Sequence, residues 1–430
     1  MFSKAPRPTA EILSQGDEVV TGQVADTNAA WLAERLTGLG FLVTRHTSVG
    51  DRLTDLAGVM TEIAGRADVC IGTGGLGPTE DDLTAEAVAT AFSRPLALDP
   101  IALQQIIDRY AAFDRRMPAI NRKQALLPRG SVRLENLWGT APGFAIEQDG
   151  TWFSFVPGVP REMRQMWTHH LLAELQRRFQ VQPGRLVTLR TTGVGESTLQ
   201  ERLADFEPGP IVVSYRTKLP ENHVKLRVPP SVPDAVVHAV VQDAAARIGS
   251  ALFTVEGVPP LPGVPTGSGP LPQVVGHLLA GRGETVAVAE SCTGGRVAAL
   301  CTAHAGSSAW FLEGVVTYSD AAKIRMLGVE PAALQAHGAV SEAVARQMAE
   351  GARQRAGATY GLATTGIAGP GGGSDAKPVG TVHIALATPD HTHWRMLRLP
   401  GSRDRVQQLS AAGVLDLLRR HLQNHLHPGS

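Results

Sequence analysis

Thr285-Val286-Ala287-Val288-Ala289-Glu290-Ser291-Cys292-Thr293-Gly294-Gly295-Arg296-Val297-Ala298-Ala299-Leu300 decides the fold class. The short apolar run Thr285–Ala289 reads as a buried strand, the glycines as a tight turn, and the alanine-rich run from Arg296 as a helix. That order places Ser291 near the first amides of a helix, where unpaired N–H groups and the helix dipole favour a developing oxyanion or a phosphate. The same six residues from Glu290 to Gly295 also suit an ordinary serine N-cap in a strand–helix connection.

Two later stretches bear on that choice. Phe311-Leu-Glu-Gly-Val-Val-Thr-Tyr318-Ser-Asp-Ala-Ala-Lys323 is a strand-like run leading to a helix start. A lysine of lowered pKa, assisted by a tyrosine hydroxyl, can activate a serine where no histidine serves. The spacing fits neither an S-x-x-K pair nor a Y-x-x-x-K pair. Thr364-Thr365-Gly366-Ile367-Ala368-Gly369-Pro370-Gly371-Gly372-Gly373, followed by Lys377-Pro378-Val379-Gly380-Thr381, is a Gly-rich loop whose amides can meet an anion.

In this order the blocks A-E-S-C-T-G-G, G-V-V-T-Y-S-x-x-x-K, G-A-V-S and T-G-I-A-G-P-G-G-G…K-P-V-G-T-V resemble the CinA (competence/damage-inducible protein A) family. The C-terminal domain of that family is similar to nicotinamide-nucleotide amidase. The resemblance implies Ser291, Tyr318 and Lys323 as the catalytic set, with no cofactor. It implies substrate contacts at Thr293, Gly294, Gly295, Thr365, Gly366, Ile367, Ala368, Gly369 and Arg403. One element departs from the family pattern: Gly401-Ser402-Arg403-Asp404-Arg405-Val406-Gln407 has Gln407 where a second arginine is common. The arginine for the substrate phosphate is thus Arg403 or Arg405.

The first half also alternates strand and helix. Glu11-Ile-Leu-Ser opens a strand, Asp26-Thr27-Asn28 leads a helix with Leu32, Leu36 and Leu39 on one stripe and Gly40 at its end, Phe41–Thr44 starts a second strand, and Asp68–Gly72 is a third. This is a mostly parallel α/β sheet, whose ligands gather at the strands' carboxyl ends. There lies Thr73-Gly74-Gly75-Leu76-Gly77-Pro78-Thr79-Glu80-Asp81-Asp82-Leu83-Thr84. Its glycines can cradle a phosphate and its acids can bind a divalent cation, while Thr79 as N-cap with acids behind it is the plain alternative.

The block resembles the T-G-G-x-G…D-x-T motif of molybdopterin-binding domains of MoaB/MogA type, and the match continues through Asn121–Ala125, Asn136–Phe144 and Val156–Met163. The resemblance implies a metal-dependent ADP-ribose pyrophosphatase with Gly74, Gly75, Gly77, Thr79, Asp81, Asp82, Asp26 and Asn28 at its site. A magnesium-like ion would sit on Asp82, Asp81 and Glu18.

Residues 181–257 change to strand (Leu186–Arg190), helix (Ser197–Phe206), two strands (Ile211–Tyr215, Val224–Val228) and helix (Asp234–Ile248), the α+β order of the KH-like module in the same family. No Gly-x-x-Gly clamp for RNA occurs in it, which points to a spacer or dimerisation role. Gly257–Pro270 is rich in proline and glycine and reads as an exposed linker. The expected organisation is a molybdopterin-binding-like domain over 1–180, the KH-like module over 181–257, a linker over 258–270 and an α/β amidase domain over 271–430.

A chain of 430 residues with zero formal net charge lacks the basic excess that nucleic acid or an anionic membrane demands. No run is apolar for long enough to span a bilayer, and Met1–Pro8 has no signal-type core, so a cytoplasmic location is expected. Cys70, Cys292 and Cys301 fit reduced thiols, with Cys292 as a small packing residue rather than a nucleophile. The histidines show no zinc-ligand spacing. The expected partners are nicotinamide mononucleotide, ADP-ribose and a second copy of the chain. A nucleotidyl-transfer or pterin-binding protein and a nucleic-acid accessory protein are the rival classes.

Overall fold

The computed structural model describes residues 7–425. They fall into two compact units that meet in sequence between Gly184 and Arg185.

The first unit holds β1 (Thr9–Gln15), β2 (Leu42–Val49), β3 (Val69–Thr73), β4 (Leu96–Leu98), β5 (Leu126–Pro128), β6 (Val132–Leu134), β7 (Gly143–Gln148) and β8 (Thr151–Val156). Six of these form one sheet in the order β2-β1-β3-β8-β7-β6, parallel from β2 to β8 and antiparallel beyond, while β4 and β5 pair separately. All five residues of β3 are buried, as a central parallel strand requires. Ile12, Val69 and Ile71 pack on one face of the sheet, and Leu13 and Cys70 on the other.

The helix Thr27–Leu39 starts where Asp26 accepts the Ala29 N–H at 2.8 Å and stops at Gly40, whose φ of 106° suits glycine. Its buried stripe is Ala29, Leu32 and Leu36. The parallel-sheet expectation for this half holds. Thr79, however, caps no helix: the next one runs Thr84–Ala91, with Leu83 at its N-cap.

The second unit opens with β9 (Arg185–Thr192), β10 (Val212–Lys218), β11 (Glu221–Val228) and β12 (Leu252–Glu256), an antiparallel sheet in the order β10-β11-β9-β12. The helix Asp234–Ile248 covers it with Val237, Val241, Ala244 and Ile248. The sequence reading lacked β12.

A second sheet follows: β13 (Val286–Glu290), β14 (Phe311–Val316), β15 (Tyr360–Gly366), β16 (Thr381–Ala387) and β17 (Thr392–Arg398), in the order β14-β13-β15-β16-β17. β13 is parallel to both neighbours, so its carboxyl end opens between the ends of β14 and β15. The helix Glu342–Ala356, capped by Ser341, packs Val344, Met348 and Ala352 into one core layer, and the helix Arg403–Leu422 packs Val406, Val414 and Leu418 into another.

Residues 257–270 are not a free linker. Thr266 bridges Val255, Val264 is buried, and Val258 and Leu261 pack on the core of the α+β part. The Pro/Gly content correctly excluded a helix or strand of any length, but three apolar side chains still pin the segment down. Phe253 enters the core of the second sheet, and the Glu221 carboxylate accepts the Leu271 N–H at 3.1 Å. Among the described residues no helix is long and apolar enough to cross a membrane.

Candidate active site

Ser291 follows the last residue of β13 and is 8% exposed. The turn that carries it needs glycine, because Gly294 and Gly295 take φ of 62° and 97°. Its amides are already assigned in large part. Ser291 N–H donates to Thr364 O, Gly294 N–H to Ser291 O and Arg296 N–H to Thr293 O.

The fully buried Glu290 takes the next set: its carboxylate accepts the N–H groups of Gly295 at 3.0 Å, Val297 at 3.1 Å and Ala298 at 2.8 Å. A carboxylate here satisfies the orphan donors of the helix Arg296–Thr302 and complements its dipole. The helix start is therefore closed to an oxyanion or a phosphate, contrary to the sequence expectation. Among the described residues, the two amides of the turn left without an acceptor are those of Cys292 and Thr293.

Lys323 comes to the same place from the helix Asp320–Leu327, which Ser319 caps by accepting the Ala322 N–H. Its side chain is 1% exposed. Nζ lies 3.3 Å from Ser291 Oγ, 3.0 Å from Thr317 O and 3.3 Å from Tyr318 O. Burial lowers the Lys323 pKa from the usual lysine value, partly offset by the Asp320 carboxylate 3.9 Å away. A neutral amine has two N–H groups and one lone pair. The three partners of Lys323 Nζ accept the three N–H groups of the ammonium; in the neutral form the two carbonyls keep the two N–H groups and the lone pair meets the Ser291 hydroxyl.

Tyr318 stands apart from this pair. Its side chain is 61% exposed, and its hydroxyl accepts from Arg403 at 3.0 Å. The backbone carbonyl of Tyr318, not its phenol, touches Lys323. Arg403 also donates to Gly369 O at 2.7 Å, which places its guanidinium at the edge of the Gly-rich loop. No hydrogen bond joins Arg405 to that loop among the described residues.

Thr293 Oγ1 meets Thr364 Oγ1 at 2.7 Å, and Thr365 donates to Ala339 O. Gly366 and Ile367 line the end of β15, Ala368 and Gly369 are buried beside them, and Gly371–Gly373 lie exposed. Cys292 is 4% exposed in the core, and burial pushes its thiol up to about 12. At neutral pH it holds almost no thiolate, so the packing role expected of it stands. Glu290 escaped sequence reasoning, although an acid ahead of a helix start was the available signal.

In the first unit a cavity of about 410 Å³ sits at the carboxyl ends of β1 and β3, lined by Gly74, Gly75 and Gly77 and by the acids Glu18, Asp51, Asp81, Asp82 and Glu162. Asn28 reaches its rim by donating to Gly158 O, and Asp26 is the helix cap described above. The acids are turned to different partners. Asp82 accepts the Thr79 N–H at 2.9 Å and its hydroxyl at 2.5 Å, Asp51 accepts from Gln15 and the Asp17 amide, and Glu162 accepts from Asn136. No three His, Cys, Asp or Glu side chains converge as a metal-binding group among the described residues. Glu18, Asp81 and Asp82 share the cavity wall, and Asp82 closes the loop at Thr79 through one carboxylate oxygen, Oδ2.

Residues 269–422 match the family model described as CinA C-terminal domain, and residues 11–177 match the one described as probable molybdopterin binding domain. A CinA-like protein of Anaeromyxobacter dehalogenans (strain 2CP-C) is 43% identical over 416 residues, covering 96% of this chain and 99% of its own. One from Shewanella piezotolerans (strain WP3 / JCM 13877) is 40% identical over 417 residues, covering 96% and 95%. The crystal structure of competence/damage inducible protein CihA from Agrobacterium tumefaciens is 41% identical and covers 36% of this chain and 93% of its own, with a TM-score of 0.35.

Proposed function

Because this chain belongs to the CinA family, with a molybdopterin-binding-like domain ahead of a CinA C-terminal domain, we propose that its second unit is a serine amidase that deamidates nicotinamide mononucleotide. The observation that supports this is the buried Lys323 amine 3.3 Å from Ser291 Oγ. A serine needs a base, and an amine of lowered pKa at that distance is one.

Ser291 Oγ attacks the carboxamide carbon while Lys323 Nζ takes the hydroxyl proton. The oxyanion meets the N–H groups of Cys292 and Thr293. Lys323 returns the proton to the leaving nitrogen, ammonia departs, and an ester to Ser291 remains. Water then attacks the ester, gives its proton to Lys323, and nicotinate mononucleotide leaves as Ser291 regains its hydrogen. In this arrangement the proton route is Lys323 alone, and Tyr318 serves by holding Arg403.

Arg403 is the phosphate ligand in this scheme. Loss of one charge-assisted phosphate contact costs about 1.5–3 kcal/mol, or roughly a 10–100-fold rise in KM. Arg403→Ala is expected to raise KM for nicotinamide mononucleotide by that factor and to leave nicotinamide riboside, which has no phosphate, unchanged. The underlying assay is ammonia release across a panel of nucleotide amides. A wild-type chain that releases none from nicotinamide mononucleotide ends the amidase assignment.

The glycine-lined cavity of the first unit supports a second reading, pyrophosphate cleavage of ADP-ribose. A divalent cation there would draw on substrate oxygens as well as on an acid such as Asp81, since magnesium is commonly held by one or two carboxylates plus phosphates. Titration of the full chain with ADP-ribose, followed by analysis for AMP, decides it. No binding and no AMP would leave the cavity a pterin or nucleotide pocket of another kind. A cytoplasmic homodimer remains part of the proposal, supported by the family membership.

A further inference from the structure

Gln407 lies on the helix Arg403–Leu422, and its side-chain N–H donates to Cys292 O at 2.8 Å across 115 residues of sequence. The carbonyl it holds belongs to the peptide whose nitrogen is Thr293. A trans peptide is planar, so its C=O and N–H point in opposite directions and cannot turn independently. Fixing Cys292 O therefore fixes the Thr293 N–H.

The neighbouring peptide is held in the same way. Its carbonyl, Ser291 O, accepts the Gly294 N–H at 3.2 Å, which fixes the Cys292 N–H. These are the two amides of the turn that have no protein acceptor among the described residues. The turn anchors one from within. The other depends on a side chain from a different element.

We infer that Gln407 is a positioning residue for the oxyanion site, acting on the Thr293 N–H through the Cys292 carbonyl. This rests on the amidase assignment for its chemistry, though the hydrogen bond itself does not. Without Gln407 the Cys292–Thr293 peptide can rock, and a donor that must reorganise during the reaction stabilises the transition state less than a fixed one. Removal of one oxyanion donor costs about 10²–10³-fold in kcat; a donor that is kept but loosened should cost about 10–100-fold.

The test compares Gln407→Ala, Gln407→Glu and Gln407→Arg in the full chain. Glu has the same shape and no donor, and Arg restores a donor. The expected result is a 10–100-fold fall in kcat for Ala and Glu, with KM for nicotinamide mononucleotide and the melting temperature little changed, and recovery of most of the loss in Arg. A purely structural role would lower melting temperature and kcat together and would not discriminate Glu from Arg. Equal kcat in all three variants overturns the inference.

A second readout separates it from the choice of substrate. In phosphonylation by a fluorophosphonate, a P–O bond forms to Ser291 Oγ, fluoride leaves and the serine proton passes to Lys323, while the P=O group occupies the oxyanion site. If the wild type is labelled at Ser291 but cleaves no nicotinamide mononucleotide, the substrate assignment fails. The labelling rates of the three variants then judge Gln407, with the same order expected. A wild type that neither cleaves nor labels overturns both.

Discussion

Ser291→Ala is expected to lower kcat for ammonia release from nicotinamide mononucleotide by on the order of 10⁴-fold or more, because loss of a covalent nucleophile leaves only binding and oxyanion stabilisation. The substitution is small. Among the described residues Ser291 Oγ has one side-chain partner, Lys323, so its removal vacates a single contact, and substrate affinity should survive. The pattern to look for is a collapse of kcat with binding of nicotinamide mononucleotide retained in a direct titration. Activity near wild type would remove the serine mechanism. It would not rescue Cys292, whose thiol burial pushes up to about 12.

Lys323→Met should cost about 10³-fold or more in kcat, since the base that activates the nucleophile and protonates the leaving group is one residue. Lys323→Arg should fail equally: a guanidinium keeps the charge but cannot give up its proton in a protein. An Arg variant that works would mean that positive charge, not basicity, is what the site uses. The pH dependence carries the same distinction. Protonated Lys323 has no lone pair, so kcat/KM rises with pH through the Lys323 pKa, and the lowered value puts that acid limb below the ordinary lysine range of about 10.4. Asp320 favours the charged form. Asp320→Asn should shift the limb to lower pH, and a shift to higher pH would contradict the assignment.

Much of the fold was legible because its elements are locally coded. The run Val286–Ala289 between a helix and a glycine turn had few alternatives, and the helix Asp234–Ile248 matched its expected bounds because proline and aspartate start it and a glycine ends it. What was not legible depends on distant partners. Tyr318 looked like a companion of Lys323, five positions on, yet its hydroxyl is joined to Arg403 at a separation of 85 residues. Glu290 looked like part of the serine motif, and its role as a cap emerges only when the chain turns back on it. The reading of 257–270 failed for a related reason: proline and glycine report local conformation and say nothing of whether Val264 finds a core.

Arg419 gives that last point a mechanical meaning. It is fully buried, pairs with Asp416, and donates to Ser250 O at 2.8 Å and to Leu252 O at 3.5 Å, far upstream of the helix that carries it. Each guanidinium N–H stripped of a buried acceptor costs about 1–3 kcal/mol. Residues 185–425 are therefore expected to melt as one cooperative block, the α+β part together with the serine–lysine sheet, and the natural seam for exchanging modules lies at Gly184/Arg185 rather than in the proline-rich strap.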